Sequence, residues 1–148
     1  MAAALGEPFS YLSLFAICYI AATLFPLGSE VMVVWMVTQD YNNGLVLVVA
    51  SAGNFLGSLT NYFVGKWGSD FLLSRWIRMD PATLQRAQDL YGRWGAPSLF
   101  FNWLPIIGDP LTLVSGIFKL RLSLFSFWVS LGTVLRYLTV IWLTQWVW

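Results

Sequence analysis

The chain has no histidine and a single cysteine, Cys18. These absences exclude a disulfide within the chain, Cys/His metal clusters, and any general base or triad that depends on imidazole. Cys18 lies in an apolar run and reads as a small packing residue. Charge is also scarce, at 10% of residues against about 25% in soluble domains. The formal net charge of +1 gives no basic field, so no nucleic-acid partner is expected. Met1 to Ser10 has neither Lys nor Arg. It lacks the positive region that opens a secretory signal, and it is expected to be retained.

What fills the chain instead is apolar. Hydrophobic residues make up 58%, with nine Trp, eleven Phe and six Tyr, and the mean hydropathy is +0.69. A soluble fold of 148 residues could not hide that much apolar surface. Aromatic rings in such numbers suit bilayer interfaces. The composition therefore predicts an all-α integral membrane protein, one membrane domain spanning 1–148.

The apolar run from Tyr11 to Phe25 is broken by Pro26, Gly28 and Glu30, and resumes from Val31 to Val37. Proline removes a donor and clashes with the preceding turn, so a helix should break at or before Phe25. The second arm, Ser29 to about Val37, is roughly 14 Å long and cannot cross a core of about 30 Å. A re-entrant hairpin is expected, leaving through the polar stretch Gln39 to Gly44. Residues 45–65 then form a span of about 31 Å. Gly53, Gly57, Asn61 and Gly65 make a stripe at helical spacing, with Asn54 beside it. Small residues on such a stripe admit a neighbouring backbone, and the two asparagines are candidates for lining a polar cavity.

More than half of the formal charges fall in 66–95. Asp80-Pro81 is a helix start, and Gly92 and Gly95-Ala96-Pro97 end what reads as a short interfacial helix. Residues 97–118 then repeat the first pattern. An apolar arm reaches Asn102 and Leu104, Pro105, Gly108, Asp109 and Pro110 break it, and Leu111 to Phe118 returns through Gly116. Residues 122–148 are the second span, with Gly132 and Arg136 inside it and Trp142, Trp146 and Trp148 toward its end.

One constant offset along the chain carries Pro26 onto Pro105, Glu30 onto Asp109, Gly53 onto Gly132 and Gly57 onto Arg136. The expected architecture is two inverted repeats, about 11–65 and 97–148, each a re-entrant helical hairpin followed by a transmembrane helix, with the interfacial segment 66–95 between them. The loop side gathers seven of the eight Lys and Arg residues, and Arg136 lies within a span. By the positive-inside rule the 66–95 loop is expected to be cytoplasmic and both termini to lie on the opposite side.

Glu30, Asp109 and Arg136 are the ionisable residues expected at membrane depth. Each costs at least about 2.5–3.5 kcal/mol at the centre of an isolated span, so they should face the protein interior or water. Asp109 also suits a helix cap before Pro110, and Glu30 suits the first turn of the arm beginning at Ser29. Two half-helix N-termini beside an arginine would bind an anion such as a phosphate, and the carboxylates could carry protons.

Pro26-Leu-Gly-Ser-Glu30, Gly53-Asn54, Gly57, Thr60-Asn61, Trp103-Leu-Pro-Ile-Ile-Gly-Asp109, Ser115-Gly116, Gly132 and Leu135-Arg136-Tyr137 come in order at matching spacing. They resemble the DedA family, also called the SNARE-associated or VTT-domain family, and within it the short YqaA-type branch. The resemblance implies two oppositely oriented re-entrant hairpins with spanning helices in the bacterial inner membrane. It implies movement of lipids between leaflets, of polyprenyl phosphates or phospholipids, often with proton dependence, and it matches Glu30 to the family's acidic residue in the first hairpin. Larger members carry arginines where this chain has Asn102 and Gly108; either Arg136 partly substitutes for them as an N–H donor to phosphate, or the substrate differs. The expected partners are membrane lipids, including anionic lipid phosphates, and protons, with self-association open and no cofactor. The other readings are a proton- or cation-coupled small-solute transporter and a non-transporting membrane assembly or homeostasis factor. An enzyme is not expected, for want of a nucleophile–base pair.

Overall fold

The computed structural model describes residues 2–23, 28–68, 81–103 and 108–148, and among these it contains helices and no strand. The order is α1 (Ala2–Thr23), α2 (Gly28–Thr38), α3 (Asn43–Trp67), α4 (Pro81–Trp94), a 3-10 segment (Ala96–Trp103), α5 (Gly108–Ile117) and α6 (Leu122–Val147). Among the described residues only α3 and α6 combine the length and apolarity needed to cross a membrane. At 1.5 Å per residue they extend about 37 and 39 Å, whereas α2 and α5 reach about 16 and 15 Å. The apolar part of α1, Phe9–Thr23, covers about 22 Å.

Chain chemistry sets most of the ends. Asn42 caps α3, its Oδ1 accepting from the amides of Gly44 and Leu45 at 3.0 and 3.2 Å. At the end of α2 the Tyr41 amide donates to the Met36 carbonyl at 3.2 Å and the Asp40 amide to the Val37 carbonyl at 3.3 Å, with Asp40 at φ 59°. At the end of α5 the Leu120 amide donates to the Ser115 carbonyl at 3.0 Å and the Lys119 amide to the Gly116 carbonyl at 2.9 Å, with Lys119 at φ 53°. Both ends are Schellman turns. Each bond of the second set follows its counterpart in the first by the offset that separates Pro26 from Pro105. The opening bonds of α6 and α3, Phe125 to Arg121 and Val46 to Asn42, are related in the same way.

Glycines set the helix contacts. α3 lies against α1 at Gly53 and Gly57, where an added Cβ would sit 2.6 Å from the carbonyl oxygens of Phe15 and Tyr19. Its other end meets α5, with Gly65 against the Leu113 carbonyl and Gly116 against the Tyr62 carbonyl. α6 meets the 3-10 segment at Gly132, 2.8 Å from the Phe100 oxygen by the same measure, and also lies along α2. One core joins α1, α2, α3 and α6 through Leu14, Val33, Met36, Val46 and Tyr137. A second joins α3, the 3-10 segment, α5 and α6 through Tyr62, Leu99, Leu111, Phe125 and Val129. α4 rests on this second core through Leu90 and Tyr91, and Tyr91 also stacks on Phe118, 5.1 Å between ring centres. Outward, α3 and α6 expose Leu45, Val48, Leu56, Phe127, Leu131, Leu138 and Trp142, a surface suited to lipid.

Three local expectations change. The first helix begins at Ala2 rather than near Tyr11, because Ala2 to Leu5 are strong helix formers. The entering arm of the second unit is a 3-10 segment rather than an α-helix. Pro97 withholds an amide at its start, and Ser98 closes the first turn on Gly95 with both its amide (3.0 Å) and its hydroxyl (2.6 Å). Asp109 lies inside the first turn of α5, which starts at Gly108, rather than at the cap position before it. The expected breaks at Pro26 and Pro105 and the cap at Asp80 lie outside the described residues.

Candidate functional site

α2 begins at Gly28 and carries Glu30 in its first turn, where backbone amides have no partner within the helix and favour a negative charge. Glu30 forms an ion pair with Arg136 of α6, and the Ser29 hydroxyl donates to Glu30 Oε2 at 3.1 Å. The Glu30 side chain is 29% exposed and that of Arg136 is 11% exposed. The pair is thus largely withdrawn from solvent with an opening on the carboxylate side. Arg136 also lies 5.6 Å from the centre of the Tyr137 ring, and Tyr137 is fully buried. A guanidinium carries five N–H donors and the carboxylate engages only part of that fork, so Arg136 has donors left for an anion.

One turn back along α6, Thr133 joins the two asparagines nearest the helix crossing. Asn102 Nδ2 donates to Thr133 Oγ1, and Thr133 Oγ1 donates to Asn54 Oδ1, each at 3.3 Å. Asn54, Asn102 and Thr133 are all buried. Asn61 is buried apart from them, donating to the Ala22 carbonyl at 2.8 Å and to Thr112 Oγ1 at 3.4 Å. These asparagines pair buried polar groups across the contacts that the glycines allow.

Among the described residues the buried hydroxyls of Ser51 and Ser58 have no hydrogen-bond partner, while that of Tyr137 faces Ser29 and Cys18. Ser58 and Tyr137 hold equivalent places on α3 and α6, following Gly57 and Arg136.

The structure thus brings Glu30 to Arg136, and Asn54 to Asn102 through Thr133, and it leaves Asn61 in a separate contact. The Asp109 side chain lies outside the described residues. Gly28 and Gly108 open α2 and α5, and Pro110 is buried in the first turn of α5. Sequence reasoning assigned no site role to Ser29, Thr112, Thr133 or Tyr137. The repeat offset would have found two of them, since it leads from Asn54 to Thr133 and from Ser58 to Tyr137. Among the described residues no group of three His, Cys, Asp or Glu side chains is placed to hold a metal ion.

Residues 25–145 match the family profile described as the VTT domain. The chain is 36% identical over 137 residues to the inner membrane protein YqaA of Escherichia coli K12, covering 92% of each chain. It is 30% identical over 141 residues to an uncharacterized protein of Haemophilus influenzae, covering 88% of this chain and 85% of that one. It is 21% identical over 139 residues to undecaprenyl phosphate transporter A of Staphylococcus aureus, covering 86% of this chain and 68% of that one. No solved structure is detectably similar. The chain belongs to the DedA family of VTT-domain membrane proteins.

Proposed function

We propose that this protein moves a lipid bearing an anionic phosphate headgroup from one leaflet of the bacterial inner membrane to the other. The observation that carries this reading is the Glu30–Arg136 ion pair at the start of a half-length helix. A buried ion pair contributes little net stability against an apolar substitute, so its presence in a lipid-facing fold points to use. In the resting protein Arg136 is held by Glu30. An arriving phosphate competes for the guanidinium and meets the free amides of the first turn of α2. Glu30, released into a low-dielectric site, takes up a proton. Site charge is unchanged overall, one negative charge having arrived and one having been neutralised. Departure of the headgroup frees Arg136, and Glu30 gives up its proton as the pair re-forms.

The two halves are read as inverted repeats with re-entrant hairpins. Supporting this are the Schellman turns that recur at the repeat offset, the short arms α2 and α5, and the exchange of contacts in which α3 lies on α1 and α5 while α6 lies on the 3-10 segment and α2. The basic residues Lys66, Arg86, Arg93, Lys119 and Arg121 favour a cytoplasmic loop side with both termini opposite. The names of two relatives, an inner membrane protein and an undecaprenyl phosphate transporter, support the location and the lipid class. A photoreactive polyprenyl-phosphate analogue in nanodiscs should label peptides of α2 and α6, and Arg136→Gln should reduce that labelling. Labelling confined to the arginines of α4 would overturn the reading.

A further inference from the structure

The turn that closes α2 holds a residue the Glu30–Arg136 site does not use. Asp40 sits in the left-handed position of the turn, φ 59°, where glycine is the unstrained choice. Its counterpart in the second repeat is Lys119, φ 53°. The same strained position thus holds an anion at the end of one short arm and a cation at the end of the other.

No described cation pairs with Asp40, which is exposed. It lines a cavity of about 520 Å³ between this turn and the last turn of α6, together with Thr38, Tyr41, Asn43, Gln145 and Trp148. The Tyr41 ring is fixed there: Tyr11 meets it edge-on with ring centres 5.7 Å apart, Trp35 lies at 6.1 Å, and its hydroxyl hydrogen-bonds Ser10 Oγ at 3.0 Å. The Thr38 hydroxyl gives its proton to the Trp35 carbonyl at 2.8 Å, which leaves its oxygen free to accept.

We propose that this cavity binds the primary ammonium of a phosphatidylethanolamine headgroup. Asp40 supplies the counter-charge, and the ring of Trp148 on the cavity wall attracts a cation through its quadrupole. Thr38 and the amide oxygens of Asn43 and Gln145 accept N–H bonds, which a primary ammonium offers and a quaternary one does not. An anionic headgroup would meet a carboxylate with no compensating cation. The exposed rings of Trp146 and Trp148 beside the cavity suit the depth of lipid headgroups. The orientation proposed above puts this cavity at the outer leaflet, and recognition of the amine does not depend on that placement.

The test is lipid retention by the full-length protein, released from nanodiscs of mixed composition and read by native mass spectrometry. Wild type should retain phosphatidylethanolamine in preference to phosphatidylcholine and phosphatidylglycerol. Asp40→Asn should lower that retention about tenfold, the scale of one lost charge-assisted contact. Asp40→Gly should lose it equally while unfolding at a higher temperature, which separates loss of the site from loss of the fold. Each comparison is repeated in an Arg136→Gln background, where the lipid-phosphate site is lost and the preference for the primary amine should persist, so that this inference and the lipid-phosphate reading fail separately. Equal retention of phosphatidylcholine, wild-type retention by Asp40→Asn, or displacement of the lipid by an equal concentration of free ethanolamine would overturn the proposal.

Discussion

Thr133 donates a hydrogen bond to Asn54 at 3.3 Å, and the two residues hold the same place in α6 and α3. The two long helices are tied together at equivalent points, with Asn102 of the 3-10 segment as a third member. Removing one partner strands a buried polar group, whereas removing both need not. Thr133→Val alone should therefore lower stability in detergent by about 0.6–1.7 kcal/mol, the range for such bonds between membrane helices. Adding Asn54→Leu should recover part of that loss. Thermal unfolding of the two single variants and the double variant checks this, and purely additive losses would refute the coupling.

Gly116 of α5 faces the Tyr62 carbonyl of α3 with no room for a methyl group, while Gly92 of α4 has open space around it. Gly116→Ala should destabilise by roughly 2–3 kcal/mol, since rigid backbone must move apart. Gly92→Ala should instead stabilise by about 0.5–1 kcal/mol, because it removes a helix glycine without a clash. Unfolding midpoints moving in opposite directions would verify the α3–α5 contact.

Lys119 holds a left-handed backbone at φ 53°. Lys119→Gly should relieve that conformation and raise stability by about 1 kcal/mol. If the side chain instead anchors the turn, the same substitution lowers the unfolding temperature.

Asp40 and Lys119 also report orientation. Cys18 is fully buried, so Cys18→Ala gives a background free of native thiols. In that background Asp40→Cys should react with an impermeant maleimide added outside the cell, and Lys119→Cys should react only after the cytoplasmic side is opened. Labelling of both from one side would contradict inverted halves.

Some of this was legible in the sequence, and the reason is chemical. Pro26 with Pro105, Glu30 with Asp109, and Gly53 with Gly132 keep the same residue type, or nearly so, at the repeat offset. They mark breaks, charges and close backbone approach, which few residue types can supply. Asn54 with Thr133, Ser58 with Tyr137, and Asp40 with Lys119 are equally regular in position but differ in size or sign. A hydrogen bond can be made by many pairs and a left-handed turn tolerates several residues, so similarity of type does not reveal them. That Arg136 would neutralise a carboxylate followed from the cost of a lone charge at membrane depth; that the carboxylate is Glu30 depended on how α2 lies along α6, a tertiary fact with no local signal. The 3-10 segment was hidden because its eight residues carry an apolar pattern that an α-helix would also show, and Pro97 alone is compatible with the start of either.

The central claim is that lipid crosses the membrane at the Glu30–Arg136 pair, and transbilayer exchange measures it directly. Purified protein is reconstituted into liposomes with a fluorescent lipid phosphate, and exchange is followed by quenching from outside. Wild type should accelerate exchange over empty liposomes. Glu30→Gln and Arg136→Gln should each abolish the acceleration, and the double variant should regain stability without regaining exchange. Undiminished exchange in the double variant, or none in wild type, would contradict the account.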